Sequence, residues 1–315
     1  MKLVFCGTPR FAVPTLKQLL QAGHSVELVV SQPDRPIGRT QEFTPPPVKL
    51  LAIEAGLPIA QPEKIRNNPD FAARLEAIRP DAIVVVAYGR IIPKWMLDLP
   101  PLGNLNLHAS LLPKYRGAAP IQWAIANGEA TTGTTTMRID EGLDTGDILL
   151  QREIAIAPDQ TAEDLFPLLA ESGANLMVET LEGLAAGSLQ SIRQDGSAAS
   201  LAPILKREDA LVDFSRSATE IYNRWRGFQP WPGAYTYFRG KKLTIHRLMP
   251  VEEVHSAVPP GTILIERGRM FVAAGHGTWL DFIELQLEGR KRLATPEFLR
   301  GSQPEPGEKL GSLAL

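Results

Sequence analysis

The segment from Asn104 to Gly117 places an amide, an imidazole and a hydroxyl at regular spacing. Asn106, His108 and Ser110 alternate with apolar residues, and on a β-strand this alternation turns all three side chains to one face, about 7 Å apart per step. An amide, an imidazole and a hydroxyl that face one way, at the carboxyl end of a strand in an open α/β sheet, lie where such sheets bind ligands. The spacing predicts a candidate catalytic strand, and a solvent-facing amphipathic strand is the alternative that spacing alone leaves open.

A second polar segment, Asp140–Asp147, carries four carboxylates and two glycines within eight residues. Its spacing differs from that of a calcium-binding loop, so the sequence predicts no metal site. A charged, solvated turn is one interpretation of this segment. The other is that one of its carboxylates pairs with His108 and orients the ring.

Composition restricts the class of protein to which these segments can belong. The chain has 315 residues, of which 44% are apolar and 22% charged, values typical of a globular protein. Cys6 is its only cysteine, which excludes an intrachain disulfide and fits a reducing compartment. No apolar run approaches the ~18 residues of a membrane span. We therefore expect a cytoplasmic protein that has no membrane partner.

The elements that must position the polar segments alternate between strand and helix patterns. Continuous apolar runs predict buried strands at Lys2–Cys6, Ser25–Ser31 and Ala82–Ala87, and Phe11–Ala22 has helical spacing. Buried strands between helices indicate a parallel sheet that is covered on both faces. The predicted fold class is therefore α/β, with a Rossmann-like open and mostly parallel sheet. The turn after the first run lacks a Gly-x-Gly-x-x-Gly motif, which argues against a dinucleotide site.

The last third of the chain differs from the rest in its residue pattern and its net charge. A helical pattern at Ser217–Trp225 precedes five short alternating runs, and such spacing predicts a smaller β-barrel. The net charge also changes, from −5 over residues 1–202 (17 basic, 22 acidic) to +3 over residues 203–315 (16 basic, 13 acidic). We predict a domain at 1–187, a linker of small polar residues at 188–205 and a second domain at 206–315.

These motifs together resemble the 10-formyltetrahydrofolate-dependent formyltransferases. Asn106–His108 with Ser110–Gly117 is similar to the active-site strand of that family, and Leu143–Asp147, about 36 residues further on, is similar to its second motif. Cys6–Pro9 and Arg226–Ala234 match the branch of the family that acts on tRNA, and the resemblance covers essentially the whole chain.

The resemblance implies transfer of a formyl group from 10-formyltetrahydrofolate, as co-substrate, to the α-amine of methionine on initiator tRNA. It implies a catalytic set of Asn106, His108 and Asp144. It implies no metal, a monomer, and an OB-like barrel that binds tRNA as the second domain. The implied folate-binding residues are Ser110, Leu111, Leu112 and Pro113 on one segment and Tyr88, Gly89 and Ile92 on another.

The same resemblance implies tRNA contacts at two places. The long loop Gln32–Pro47 contains Arg39 and Phe43, although Gln41 and Glu42 stand where the family has a basic pair, and Glu42 would repel phosphate. The contacts implied in the second domain are Lys206, Lys241, Lys242 and Arg247.

Two other functions remain as alternatives. One is a formyltransferase that acts on a small amine, such as a nucleotide or an amino sugar. The other is a nucleic-acid-binding module on an inactive Rossmann-like scaffold, against which the presence of Asn106, His108 and Asp144 argues.

Overall fold

The computed structural model describes residues 1–37, 42–252, 258–305 and 307–311. Its α-helices are α1 Val13–Gln21, α2 Pro47–Glu54, α3 Pro69–Ile78, α4 Lys94–Leu97, α5 Pro120–Ala126, α6 Ala162–Ala185, α7 Ala218–Gly227 and α8 Thr295–Ser302. Its strands before residue 160 are β1 Lys2–Gly7, β2 Ser25–Val30, β3 Arg35–Ile37, β4 Glu42–Thr44, β5 Ile59–Ala60, β6 Ala82–Val86, β7 Asn104–His108, β8 Thr131–Arg138 and β9 Ile148–Ala155. Its later strands are β10 Tyr235–Phe238, β11 Lys241–Val251, β12 Ile263–Glu266, β13 Arg269–Ala273, β14 Trp279–Leu287 and β15 Arg292–Ala294.

The N-terminal sheet has seven strands in the order β5-β2-β1-β6-β7-β8-β9. The pairs from β5 to β7 are parallel, and β8 and β9 are antiparallel additions at one edge. All five residues of β6 are buried, as a strand covered on both faces requires. Each such Val or Ile side chain contributes about 1.5–3 kcal/mol over leaving it exposed. The predicted mostly parallel α/β fold is confirmed.

Parallel strands place their carboxyl ends at one edge of the sheet, and this edge carries the polar residues. Thr8 follows β1, Gln32 follows β2 and Tyr88 follows β6. The Thr8 hydroxyl and the Gln32 amide both donate to the Tyr88 carbonyl oxygen, at 3.2 and 3.1 Å. These bonds hold the three turns together at the edge where open α/β sheets bind ligands.

The C-terminal sheet is antiparallel, with the order β10-β11-β14-β13-β12 and with β15 paired to β14. This confirms a separate, smaller β-strand domain after the parallel sheet. The ladder of β11 and β14 shifts register on both sides of Arg247. Because of this bulge, Leu243, Ile245 and Leu248 are buried while Arg247 faces out.

Contacts divide the chain into two compact units. The first comprises Met1–Pro120, Thr131–Ala155 and Asp164–Pro203, and the second comprises Ile121–Ala130, Ile156–Glu163 and Ile204–Leu315. Within the second unit, buried Arg226 donates to the carbonyl oxygens of Ala157 and Gln160. A Cβ on Gly227 would lie 2.7 Å from the Ala126 nitrogen, so α7 packs closely on the end of α5. Sequence patterns did not reveal that these two short segments belong with the C-terminal unit.

Two searches concern only the described residues. No helix among them has the length and apolarity needed to cross a membrane. Across the same residues, no three His, Cys, Asp or Glu side chains are grouped so that they could hold a metal ion. Cys6 is fully buried, and burial raises the pKa of its thiol.

Candidate active site

The polar strand predicted from spacing is β7, in the interior of the N-terminal sheet between β6 and β8. Asn104 at its start donates to the carbonyl oxygens of Met96 and Leu97, at 2.8 and 3.1 Å, which anchors the strand to α4. Asn106 is half-buried, and its side chain has no hydrogen bond to the described part of the chain. That amide is therefore available to a ligand.

His108 ends the strand and is 6% exposed. Its Nε2 lies 2.8 Å from the carbonyl oxygen of Tyr115. Because a carbonyl oxygen only accepts hydrogen bonds, Nε2 carries the hydrogen and donates it. In the neutral ring Nδ1 is then the nitrogen with a free lone pair, and it lies 3.7 Å from the Asp144 carboxylate. The structure thus brings the predicted pair together from 36 residues apart.

Asp144 lies in a turn between β8 and β9 with a φ of +53°. This left-handed conformation costs an L-residue roughly 1–2 kcal/mol, although aspartate adopts it more readily than most. The Asp144 carboxylate accepts a hydrogen bond from the Gly117 amide at 2.8 Å. The turn also needs Gly146, because a Cβ there would lie 1.9 Å from the Arg138 carbonyl oxygen.

The loop that follows β7 supplies one hydrogen-bond partner to His108 and another to Asp144, and both of these loop residues have a positive φ. Tyr115 has a φ of +62°, and Gly117 has a φ of +123°. A Cβ on Gly117 would lie 2.7 Å from the Ala202 carbonyl oxygen, so only glycine fits this close approach. The loop therefore presents the Tyr115 carbonyl to His108 and the Gly117 amide to Asp144.

The segment predicted as a linker bonds directly to these loops. The Gln194 amide donates to the carbonyl oxygens of Asp144 and Gly146, at 2.9 and 2.7 Å. The Ser200 hydroxyl oxygen accepts from the Tyr115 amide at 2.9 Å. Sequence reasoning missed both residues because single polar residues in a small, polar stretch give no periodic signal.

The first group of predicted folate residues forms a tight turn just beyond β7. Ser110 was expected on the face of Asn106 and His108, but the strand ends at His108, and the buried Ser110 hydroxyl donates to the Lys114 carbonyl oxygen at 2.6 Å. Leu112 is buried, and its amide donates to the Thr135 hydroxyl at 3.1 Å. Leu111 and Pro113 are half-buried, and the peptide bond before Pro113 is cis.

The second predicted group lies at the turn after β6. Tyr88 and Ile92 are buried in the core of the sheet, and burial raises the pKa of the Tyr88 phenol. Gly89 has a φ of +79°. Ile91, between the two buried side chains and not singled out by the sequence, is 90% exposed. The apolar side chain that this turn exposes to a ligand is therefore Ile91.

The predicted tRNA contacts that lie within the described residues are exposed side chains on both units. Arg39 lies outside the described residues, and Phe43, on β4, is 74% exposed. In the C-terminal unit Lys206, Lys241, Lys242 and Arg247 are all exposed. The Lys242 ammonium lies 4.3 Å from the centre of the Tyr235 ring, a cation–π contact. Across the described ranges, none of these four cations forms a salt bridge.

Family models match most of the chain. The family model described as formyl transferase matches residues 1–181, and the formyl transferase C-terminal domain matches residues 204–303. The chain therefore belongs to the formyl transferase family. This confirms the family and the enzyme class that the sequence predicted.

Curated relatives of the chain carry one name. A methionyl-tRNA formyltransferase of Acidobacterium capsulatum is 67% identical over 99% of this chain and 100% of its own. One of Koribacter versatilis is 59% identical over the full length of both chains. The resemblance to the tRNA-acting branch of the family is thus confirmed.

Solved structures share the fold at lower identity. A sugar 3N-formyl transferase, WlaRD, in the presence of dTDP and 5-N-formyl-THF, is 19% identical with a TM-score of 0.65, and the match covers 92% of this chain and 99% of that one. HypX from Aquifex aeolicus in complex with tetrahydrofolic acid is 18% identical with a TM-score of 0.57, covering 95% of this chain and 47% of that one. At these identities the likeness describes the fold.

Proposed function

We propose that this chain transfers the formyl group of 10-formyltetrahydrofolate to the α-amine of methionyl initiator tRNA, for the initiation of translation. The observation that carries this proposal is the pairing of His108 with Asp144 at 3.7 Å, on the same strand as the Asn106 amide, which has no hydrogen bond to the described residues. Relatives up to 67% identical over their full length are named for this substrate. The reaction requires groups that stabilise an oxyanion and move a proton, and these three residues supply both.

Asn106 has the first role in the transfer. Attack of the amine places negative charge on the formyl oxygen, and the free Asn106 amide can donate to that oxygen. A preorganised donor of this kind typically contributes about 2.7–4 kcal/mol to lowering the barrier. Asn104, two residues before it, holds the strand rigid through its bonds to Met96 and Leu97, so the donor needs little reorganisation.

His108 has the second role, in which it receives the proton that the attacking amine loses. The bond from Nε2 to the Tyr115 carbonyl oxygen fixes the tautomer, which leaves the Nδ1 lone pair free to accept. The Asp144 carboxylate, on the same side of the ring, then stabilises the positive charge that develops on the imidazole. The folate nitrogen that leaves needs a proton, and protonated His108 can return it.

The remaining roles are folate binding and tRNA binding, and we assign them to different parts of the chain. Ser110–Pro113 and the turn from Tyr88 to Ile92 would hold the folate, since both lie at the carboxyl ends of strands, β7 and β6. We assign catalysis to residues 1–187 and tRNA binding to residues 206–315, with 188–205 between them. Arg39 and Phe43 would contact tRNA from the long loop, and Lys206, Lys241, Lys242 and Arg247 from the second domain. We propose a cytoplasmic enzyme that acts as a monomer.

The test is formyl transfer from labelled 10-formyltetrahydrofolate to three acceptors in parallel. Methionyl initiator tRNA, methionyl elongator tRNA and glycinamide ribonucleotide are each offered at the same concentration. We expect label on the initiator tRNA alone. Label on the small amine, with none on either tRNA, would instead support the alternative acceptor class and overturn the proposal.

A further inference from the structure

The side chain of Gln194 lies between two loops of the candidate active site. We propose that Gln194 is a positioning residue that holds Asp144 where its carboxylate faces His108. This inference rests on the proposed function and adds to it a residue that touches neither substrate nor the reacting atoms.

Gln194 uses all the hydrogen-bonding capacity of its amide in this position. Its Nε2 donates to the carbonyl oxygens of Asp144 and Gly146. Its Oε1 accepts from the Arg116 guanidinium, at 3.1 Å from Nε and 2.7 Å from Nη2. One side chain thus joins the turn that carries Asp144 to the loop that follows β7.

The two carbonyl groups and the guanidinium that bond to Gln194 fix the orientation of its side-chain amide. Carbonyl oxygens only accept hydrogen bonds and a guanidinium only donates them. With the amide reversed, its oxygen would face two carbonyl oxygens and its NH₂ group would face a cation. Arg116 therefore sets the orientation in which Gln194 bonds to the Asp144 turn.

The Asp144 turn needs such a restraint because its conformation is not a preferred one. Asp144 has a φ of +53°, and its carboxylate has a single hydrogen bond to the described part of the chain, from Gly117. Without the two bonds from Gln194, the backbone of this turn can relax and carry the carboxylate away from the His108 ring. A catalytic group displaced by about 1 Å can lower the rate by as much as about 100-fold.

The same short segment also fixes the opposite side of the pair. The Arg116 amide donates to the Ser200 carbonyl oxygen at 2.8 Å, and the Ala202 amide donates to the Arg116 carbonyl oxygen at 2.7 Å. Residues 194–202 therefore hold the loop that supplies the Tyr115 carbonyl to His108 and the Gly117 amide to Asp144. Within this segment, Gln194 is the residue that reaches the Asp144 turn by its side chain.

Two substitutions separate the contacts of Gln194. Gln194→Met keeps the length of the side chain and removes every hydrogen bond. Gln194→Glu keeps an acceptor for Arg116 but places a carboxylate oxygen against the carbonyls of Asp144 and Gly146. If the bonds to the Asp144 turn are the ones that matter, both variants lose about 10- to 100-fold in kcat while KM for both substrates stays within about twofold.

The matched control is Ser191→Ala, three residues before Gln194 in the predicted linker 188–205. The Ser191 hydroxyl donates to the Asp147 carboxylate at 3.1 Å and does not bond to Asp144. This variant should keep the wild-type kcat. A loss of kcat in Ser191→Ala equal to that in Gln194→Met would show that any damage to the segment slows the enzyme, and would overturn the specific role of Gln194.

A double-mutant cycle with Asp144→Asn distinguishes positioning from general stability. If Gln194 acts through Asp144, adding Gln194→Met to the Asp144→Asn variant lowers the rate little further. Single-turnover formyl transfer to methionyl initiator tRNA measures this rate. Additive losses, or an unchanged kcat in both Gln194 variants, would overturn the inference. If Gln194→Met does not fold, Gln194→Glu and Arg116→Met carry the same comparison. Failure of the wild-type chain to transfer formyl at all would refute the proposed function instead, so the two failures are distinguishable.

Discussion

The candidate active site and the candidate tRNA contacts are built in different ways. In the N-terminal unit, Asn106, His108 and Asp144 lie half-buried or buried on a strand and in tight turns, and backbone groups bond to the last two. In the C-terminal unit, the basic side chains Lys241 and Arg247 stand exposed on one strand, β11. The first arrangement suits a reaction that needs fixed geometry, and the second suits a polyanion held by many weak, adaptable contacts.

Substitution of His108 should have the largest effect of all. In the proposed mechanism His108→Ala removes the proton acceptor, and general acid–base groups typically contribute about 10²–10⁴-fold to the rate. We expect a kcat loss in that range in steady-state formyl transfer. A conservative control is Thr132→Val, which removes a buried hydroxyl on β8 that has no hydrogen-bond partner among the described residues. A His108→Ala enzyme with near wild-type kcat would refute the assigned role.

Two glycines, one in each unit, give the next comparison. In Gly117→Ala the new Cβ meets the Ala202 carbonyl oxygen at 2.7 Å, whereas in Gly240→Ala nothing lies within 4 Å, and both residues have positive φ. We expect Gly240→Ala to destabilise its unit by about 1 kcal/mol and Gly117→Ala by about 1–3 kcal/mol. Denaturant unfolding measures both losses of stability. We expect kcat to fall in Gly117→Ala alone, because the Gly117 amide donates to the Asp144 carboxylate. Equal loss of activity in both variants would contradict the distinction.

Removal of single cations should have a smaller effect, which depends on salt. If Lys241 and Arg247 contact phosphates, each substitution to Ala reduces the slope of log Kd for tRNA against log salt by about 1. Filter binding over a range of salt concentrations gives this slope. Arg269→Ala is the matched control, since Arg269 is already paired with Asp281 at 2.8 Å. Slopes that do not change in Lys241→Ala and Arg247→Ala would exclude these residues from the interface.

The smallest expected effect is the pH dependence of stability that arises from Asp34, in the long loop Gln32–Pro47. Hydrogen bonds from Gln61 and Lys49 lower the pKa of the Asp34 carboxyl below its usual range. Because the folded pKa is lowered, Asp34 stabilises the fold above its unfolded pKa of about 3.9. That stability is lost as the pH falls through the folded pKa. The stability difference between wild type and Asp34→Asn should be constant near neutral pH and shrink on acidification, and denaturant unfolding at several pH values measures it.

Periodic features of the fold were open to prediction from the sequence. Ala82–Val86 forms a fully buried strand, as its run of five apolar residues between turn signals predicted. The alternation around Asn106 and His108 predicted a strand, and the structure has β7 there. The hairpin of β8 and β9 agrees with the turn residues Gly142 and Gly146.

Features that depend on contacts distant in sequence were not open to prediction in this way. Gln194 bonds to Asp144 from 50 residues away and has no pattern around it. Ser110 leaves the strand face because Lys114 offers a backbone acceptor. The outward turn of Arg247 follows from a bulge whose position is set by the partner strand. In each case the conformation depends on tertiary contacts, and the local spacing of residue types does not indicate those contacts.

The most direct test of the central claim measures two quantities on two variants side by side. Single-turnover formyl transfer at saturating tRNA and the Kd for methionyl initiator tRNA are determined for His108→Ala and for the double variant Lys241→Ala with Arg247→Ala. We predict that the first variant loses rate and keeps its Kd, whereas the second loses affinity and keeps its rate. A His108→Ala protein that transfers formyl at the wild-type rate, or a double variant whose affinity is unchanged, would contradict the division of chemistry and binding between the two units.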